Sequence, residues 1–414
     1  MKKCTKHIYK IITILMIVAL VFSGCLGDDA DEEVLPAQYG DKGAQWAIDF
    51  AQTYPMRTAY SSQESQAGEA IRNALEQMGY DVEVQFFSGS DGANQSANYI
   101  VRIPGEGFME RQEDETYLPV RRTVIVGAHY DTPGYPEREA DEADNTEDDE
   151  MDLDDQAQIL YDGLQNNASG VASLLTIAEQ IQNTTFAYDV ILIAFGASSD
   201  DYAGARAFVD QMTWDDVSSV DAMYCIESIY TGDKLYGSAG HNSLDPGRKY
   251  ERRRKLYEAY DVVYNNMLRS RNNIDLLYNM SSLVIDVNSD DQLDVYREIT
   301  MTRSDYVPFD EVNIPIVFIE SYDYNFSRLD EMKETRNLNL QDFGGHIRGT
   351  VLDASEILLD ELGEELLVSR INNVSFIIIE AINKGAYDLI TQSDYDDGQR
   401  LPTVHEVNQT QADR

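Results

Sequence analysis

The chain has 414 residues, 43% of them hydrophobic, enough for one large core with appendages. Its 74 acidic and 32 basic residues give a formal charge of −42, with acids spread along the whole length and lysine scarcer than arginine. This excludes a nucleic-acid partner, because a phosphate backbone needs positive groups. It fits a halophilic surface, where counterions screen self-repulsion, and equally a merely acidic extracellular protein.

The N-terminus begins basic, MKKCTKHIYK, and continues with an apolar stretch of signal-peptide length, IITILMIVALVF (11–22). That stretch is shorter than the ~20 residues of a membrane-spanning helix. It ends in FSGC (22–25), where small residues precede a cysteine. The pattern predicts a lipoprotein signal peptide over 1–24, with Cys25 as the lipidated first mature residue. The protein is then expected outside the cytoplasm, anchored to the cell membrane. Plain secretion and an uncleaved anchor are the alternatives, and Phe22 in place of the usual Leu is a small departure. With Cys4 removed and Cys25 lipidated, only Cys225 remains and no internal disulfide can form. Cys225 lies in an apolar run and reads as a core residue.

An acidic tether (25–38) precedes an α/β domain expected over 39–390. Helices are predicted over about 40–54 and 64–79, the second closed by Gly79. Strands follow in YDVEVQFF (80–87), ANYIVRIPG (97–105) and RRTVIVGAHYDT (121–132). An NNASG turn leads into a helix within 164–182. DVILIAF (189–195), the helix AGARAFVDQM, DAMYCIESI (221–229) and NIPIVFIES (313–321) come next. Residues 346–362 and 372–384 read as closing helices. Strands alternating with helices predict a mostly parallel sheet covered on both faces. Two insertions interrupt it. One is a nearly all-acidic loop over about 136–157, solvated by default and without the regular spacing of a calcium loop. The other is a basic helical segment over about 245–275, whose RKYERRRK is expected to pair with acids of its own chain or to dock an acidic partner. The tail, 391–414, is polar and is expected to be mobile.

Ligand sites in open α/β sheets lie at the carboxyl ends of strands. Those ends offer His129 and Asp131, Asn166 and Asn167, Ser198 to Asp201, and Glu227. A histidine as metal ligand with a nearby carboxylate to orient it is physically sensible.

The order of motifs resembles the zinc aminopeptidases of metallopeptidase family 28, related to glutaminyl cyclases and transferrin-receptor-type ectodomains. The resemblance spans about 40–390. It rests on the entry region from TYPMRTAY to DVEVQFF, GAHYDT, NNASGVASLL, AFGASSDDYAGARAFV, the strand with IES, and SDYVPFDEVNIPIVFI. It implies a three-layer phosphorylase/aminopeptidase-like domain. It also implies a site for two zinc ions, built from a histidine, a bridging aspartate, two adjacent glutamates as general base and ligand, a later aspartate and a late histidine.

Carried over residue by residue, that set is altered. His129 matches the first ligand and Asp131 the orienting acid. The bridging position is Asn166. The glutamate pair is Ser198, at the general-base position, and Ser199, at the ligand position. The later aspartate is Glu227, and Glu334 lies near the place of the late histidine. The SDH motif before the last strand is Ser304, Asp305 and Tyr306.

Asparagine offers one neutral carbonyl oxygen and an NH₂ that would face a cation. Serine holds its proton too tightly to act as a base near neutral pH. The expectation is therefore a pseudopeptidase that binds a peptide or protein in the former cleft, with the metal lost or reduced to one divalent ion. The alternative is an active metal-dependent aminopeptidase with an unusual ligand set, His129, Glu227 and a carboxylate from Asp200 or Asp201. A Ser198 or Ser199 nucleophile activated by His129 is a third, minor reading. His241 and His346 read as surface or capping residues rather than substitute ligands.

Overall fold

Near-continuous apolar runs along four adjacent strands, with successive side chains pointing to opposite faces, build the centre of the molecule. The computed structural model describes residues 39–134, 161–386 and 400–412, apart from 90, 91, 113, 246, 281–283, 286–293, 296 and 327–330. The predicted signal peptide, Cys25, the acidic tether and the acidic insertion lie outside the described residues.

Helices α1 (Gly40–Thr53) and α2 (Ser62–Gln77) precede strands β1 (Val82–Ser88) and β2 (Gln95–Ile103). A small antiparallel pair follows, β3 (Phe108–Arg111) and β4 (Tyr117–Val120). Then come β5 (Thr123–His129), α3 (Ser169–Ile181), β6 (Asp189–Phe195), α4 (Ala203–Val209), α5 (Trp214–Ser219), β7 (Val220–Glu227) and β8 (Lys234–Ser238). The rest is α6 (Lys249–Asn265), α7 (Leu268–Arg271), the pair β9 (Val284–Ile285) and β10 (Asp294–Val295), α8 (Val307–Glu311), β11 (Ile316–Tyr322), α9 (Ser355–Leu362), α10 (Glu364–Asn383) and α11 (Val404–Ala412).

The sheet has seven strands in the order β1-β2-β6-β5-β7-β11-β8. β6, β5, β7 and β11 are parallel, and β1, β2 and β8 add antiparallel pairings at the flanks. Val124, Val126 and Ala128 of β5 point into the larger core, with Leu192 of β6 and Tyr224 and Ile226 of β7. Ile125, Ile193, Met223, Cys225 and Phe318 point to the opposite side. Helices α1, α3 and α10 cover the first face, and α4 and α8 the second. This is the three-layer, mostly parallel arrangement expected for strands buried on both faces. From β5 the chain goes to β6 on one side and to β7 on the other. The carboxyl end of β5 is thus the point where strand order reverses, and a site is expected there.

Two expectations about the late chain are corrected. Residues 346–354 are turns, and the helix begins only at Ser355. The reason is that side chains capture this backbone first. Glu334 takes the N–H groups of Ile347 and Arg348, and Gly349 has φ +71°. His346 is accordingly exposed in a turn rather than opening a helix. The tail is ordered over the described residues from Arg400. Leu401 and Val407 are buried, and the Met109 N–H donates to the Pro402 carbonyl at 2.9 Å. Thr403 and Glu406 exchange reciprocal side-chain to backbone bonds that start α11, a capping box.

The basic segment is largely turned inward. Arg253 pairs with Glu298 at 2.7 Å, Lys255 pairs with Glu258 at 2.7 Å, and Arg252 donates to Asn313.

Candidate functional site

Three strand ends converge. At the end of β6, Gly196 lies so close to β2 that a Cβ there would stand 2.3 Å from Ser96 Oγ and 2.8 Å from Tyr130 Oη. The next residue, Ala197, is left-handed at φ +50°, a strained conformation that points to a positioned loop. Glu64, from the first turn of α2, fixes it. One Glu64 oxygen accepts from the Ala197 N–H at 2.8 Å and from Ser96 Oγ at 2.7 Å, and the other accepts from the Tyr60 N–H. Burial and then the charge of Asp131 push the Glu64 carboxyl up to about 7.

Asp131, fully buried past the end of β5, holds the next turn. It accepts from the N–H groups of Ser198 (2.8 Å) and Ser199 (3.0 Å) and from Ser199 Oγ (2.7 Å). Its carboxylate lies 3.4 Å from His129 Nδ1, and its carbonyl lies 3.0 Å from the same atom. That fixes the imidazole so that Nε2 faces Glu227, 3.1 Å away, at the end of β7.

Glu227 is shared. Its Oε2 contacts His129 Nε2 and accepts from Ser304 Oγ at 2.6 Å. Its Oε1 accepts from Ser228 Oγ at 2.8 Å and lies 3.7 Å from the Arg348 guanidinium. Burial works against both charges. The His129 imidazolium and Arg348 nevertheless hold the Glu227 carboxyl down at about 2. Glu227 and Asp131 likewise outweigh burial at His129 and raise it well above its ordinary value.

Asp305, fully buried, accepts from Ser198 Oγ at 2.8 Å. Burial pushes it up to about 7, with Asp131 and Glu227 adding to the shift while His129 and the Ser198 bond oppose it.

The sequence-derived residues are thus placed as follows. His129, Asp131, Ser198, Ser199 and Glu227 come together. Asn167 ties the Asn166 turn to β7 on either side of Glu227, donating to the Ile226 carbonyl and accepting from the Ser228 N–H. Glu334 joins the group through Arg348 (3.5 Å) and Gln165 (3.1 Å). Asp200 does not take the place of a substitute ligand: its carboxylate accepts from Tyr60 Oη at 2.6 Å. Asp201 pairs with Arg206 at the surface. Neither serine hydroxyl bonds His129; each donates to a carboxylate instead, which removes the geometry a Ser/His nucleophile needs. His241 Nε2 lies 3.2 Å from the Thr300 carbonyl. Sequence reasoning assigns no role to Asp305, Arg348, Glu64 or Glu320. For Asp305 the only signal is its place in the Ser304–Asp305–Tyr306 motif.

The donors do not fit two zinc ions. Asn166 is neutral at the bridging position, both serine hydroxyls are occupied, and Arg348 lies against Glu227, Glu320 and Glu334. They do fit one divalent ion. His129, Glu227 and Asp305 offer ligand atoms within 4.8 Å of one another. The side-chain oxygens Asn166 Oδ1 and Asp305 Oδ1 are buried without a hydrogen-bond partner among the described residues. Buried acceptors left without donors are costly, and a cation would relieve them.

Comparison with known proteins agrees with this architecture. The chain is 23% identical over 219 residues to the alkaline phosphatase isozyme conversion protein of Escherichia coli K12, covering 52% of this chain and 59% of that protein. The chain therefore matches less than two thirds of that relative's length. Among solved structures, Tannerella forsythia glutaminyl cyclase superposes with a TM-score of 0.53 at 15% identity, covering 84% of this chain and 99% of that one. A Zn-dependent exopeptidase from Parabacteroides distasonis superposes with a TM-score of 0.51 at 15% identity, covering 82% and 97%. Both likenesses are in fold. The sequence profile of peptidase family M28 matches residues 109–350, and the chain belongs to that family.

Proposed function

We propose that this chain is a pseudopeptidase of family M28, a protein that takes a peptide or protein segment at the carboxyl ends of its strands without two-zinc hydrolysis. One observation carries the reading. The turn that would present a general base and a metal ligand presents Ser198 and Ser199, and their hydroxyls donate to Asp305 and Asp131. A general base contributes ~10²–10⁴ in rate, and groups acting on one step fail together. Exposed Leu338 and Phe343, on the segment between Glu334 and Arg348, supply apolar surface for a partner. The sequence supports an extracytoplasmic lipoprotein anchored through Cys25, with no nucleic-acid partner and a surface suited to high salt.

The test is turnover of aminoacyl-p-nitroanilides and N-terminally glutaminyl peptides at high salt with added zinc. The expected rate is at least about 10⁴-fold below that of a two-zinc aminopeptidase assayed beside it. Comparable, chelator-sensitive turnover would overturn the reading.

A second reading is favoured by the convergence of His129, Glu227 and Asp305 and by the unpartnered Asp305 oxygen. In it one divalent ion occupies that group and supports weak aminopeptidase activity. Slow amino-acid release that requires a single equivalent of metal, and is lost in Asp305→Asn, would select it.

A further inference from the structure

Arg348 is the least expected member of the group. Its side chain is 16% exposed, and its guanidinium reaches three almost fully buried carboxylates: Glu320 at 3.0 Å, Glu334 at 3.5 Å and Glu227 at 3.7 Å. Each carboxylate is also held from behind. Glu320 accepts from Thr302 Oγ1 (2.8 Å) and Tyr324 Oη (2.5 Å). Glu334 accepts from the N–H groups of Ile347 (3.0 Å) and Arg348 (2.9 Å) and from Gln165 Nε2 (3.1 Å). Glu227 accepts from Ser304 and Ser228. The guanidinium also lies over the Tyr322 ring, 5.5 Å from its centroid. A planar fork so enclosed is a fixed positive charge rather than a mobile side chain.

Glu227 therefore stands between the His129 imidazole on one oxygen and the Arg348 guanidinium on the other. Buried carboxylates grouped in this way need a counter-charge, and either a metal ion or a guanidinium can supply it.

We infer that Arg348 is the resident cation of this site: its guanidinium neutralises Glu227, Glu320 and Glu334 in place of a second metal ion and limits the site to one divalent ion at most. A divalent ion placed among the same three carboxylates would meet the guanidinium's charge at close range, where low dielectric makes repulsion large. The inference rests on the reading of the site as unfit for two zinc ions, and it names the residue that enforces it.

The test is zinc stoichiometry by elemental analysis after equilibration with zinc and removal of loose ion. Wild type is expected to retain no more than one zinc per chain. Arg348→Met is expected to retain one more than wild type and to gain thermal stability on zinc addition. Arg348→Lys, which keeps a charge there, is expected to retain the wild-type number. If Arg348→Met does not fold, Arg348→Gln, which removes the charge but keeps a side-chain donor for the carboxylates, carries the same count. Two zinc ions in wild type, or no additional zinc in the folded Met variant, overturns the inference. Its failure is separable from that of the proposed function: peptide hydrolysis by wild type overturns the latter alone, whereas a Met variant with no extra zinc beside an inactive wild type overturns only the inference.

Discussion

Glu227→Ala is expected to lower the unfolding free energy by about 3–5 kcal/mol, the usual cost of removing one partner from a buried ion pair. The size follows from what it leaves behind. His129 would lose the carboxylate that holds its proton, and Arg348 would lose one of three counter-charges, both away from water. Ser304 and Ser228 would also lose their acceptor. Burial itself disfavours the Glu227 charge, and the carboxyl still stays at about 2, so the attraction exceeds the burial cost. Glu227→Gln keeps the shape and an acceptor oxygen and is expected to lose less. Urea unfolding of the three proteins checks this. A loss below about 1 kcal/mol for the alanine variant would mean the pairs are no stronger than those at a surface.

The second large effect is on pH. Stability is expected to fall by at least about 2 kcal/mol between pH 6 and pH 8, because the native state keeps protons that the unfolded chain has released. Three buried carboxyls carry the effect. Burial and then Asp162 push Asp353 up to about 8, burial and then Asp131 push Glu64 up to about 7, and burial pushes Asp305 up to about 7. Unfolded, each ionises near pH 4, so each costs stability from there upward as far as its folded value. The limiting slope is about 1.4 kcal/mol per pH unit for each group. His129 acts in the same direction. Its raised pKa contributes fully below its ordinary value and is lost as pH rises toward the folded one. Glu227 opposes only in acid, below about pH 4.5, where its depressed pKa begins to matter. Thermal unfolding at fixed high salt from pH 5.5 to 8.5 should show a continuous decline. A rise across that window contradicts the burial described for Asp353, Glu64 and Asp305.

Much of the fold was legible because buried parallel strands announce themselves. DVILIAF is strand β6 residue for residue, and β5 and β7 fall within a few residues of their apolar runs. The site was legible in its local parts. GAHYD placed His129 and Asp131 because it ends strand β5, and AFGASS placed the two serines because its turn is fixed by Gly196, Ala197 and Glu64. What depends on long-range capture was not legible. Arg348 sits fourteen residues beyond Glu334 in a stretch with helical composition, and Glu334 takes the N–H groups that the helix would have used. Asp305 is tied to the turn after β6 through Ser198, more than a hundred residues earlier. The tail shows a different failure. The capping box of Thr403 and Glu406 was present in the sequence, but the surrounding polar composition masked it.

This M28 chain is proposed to retain the family's scaffold without two-zinc hydrolysis. Native mass spectrometry of wild-type protein, equilibrated with excess zinc and a short unblocked peptide, tests it most directly. The chain is expected to carry no more than one zinc with the peptide bound intact. Two zinc ions per chain together with a peptide shortened at its N-terminus would contradict it.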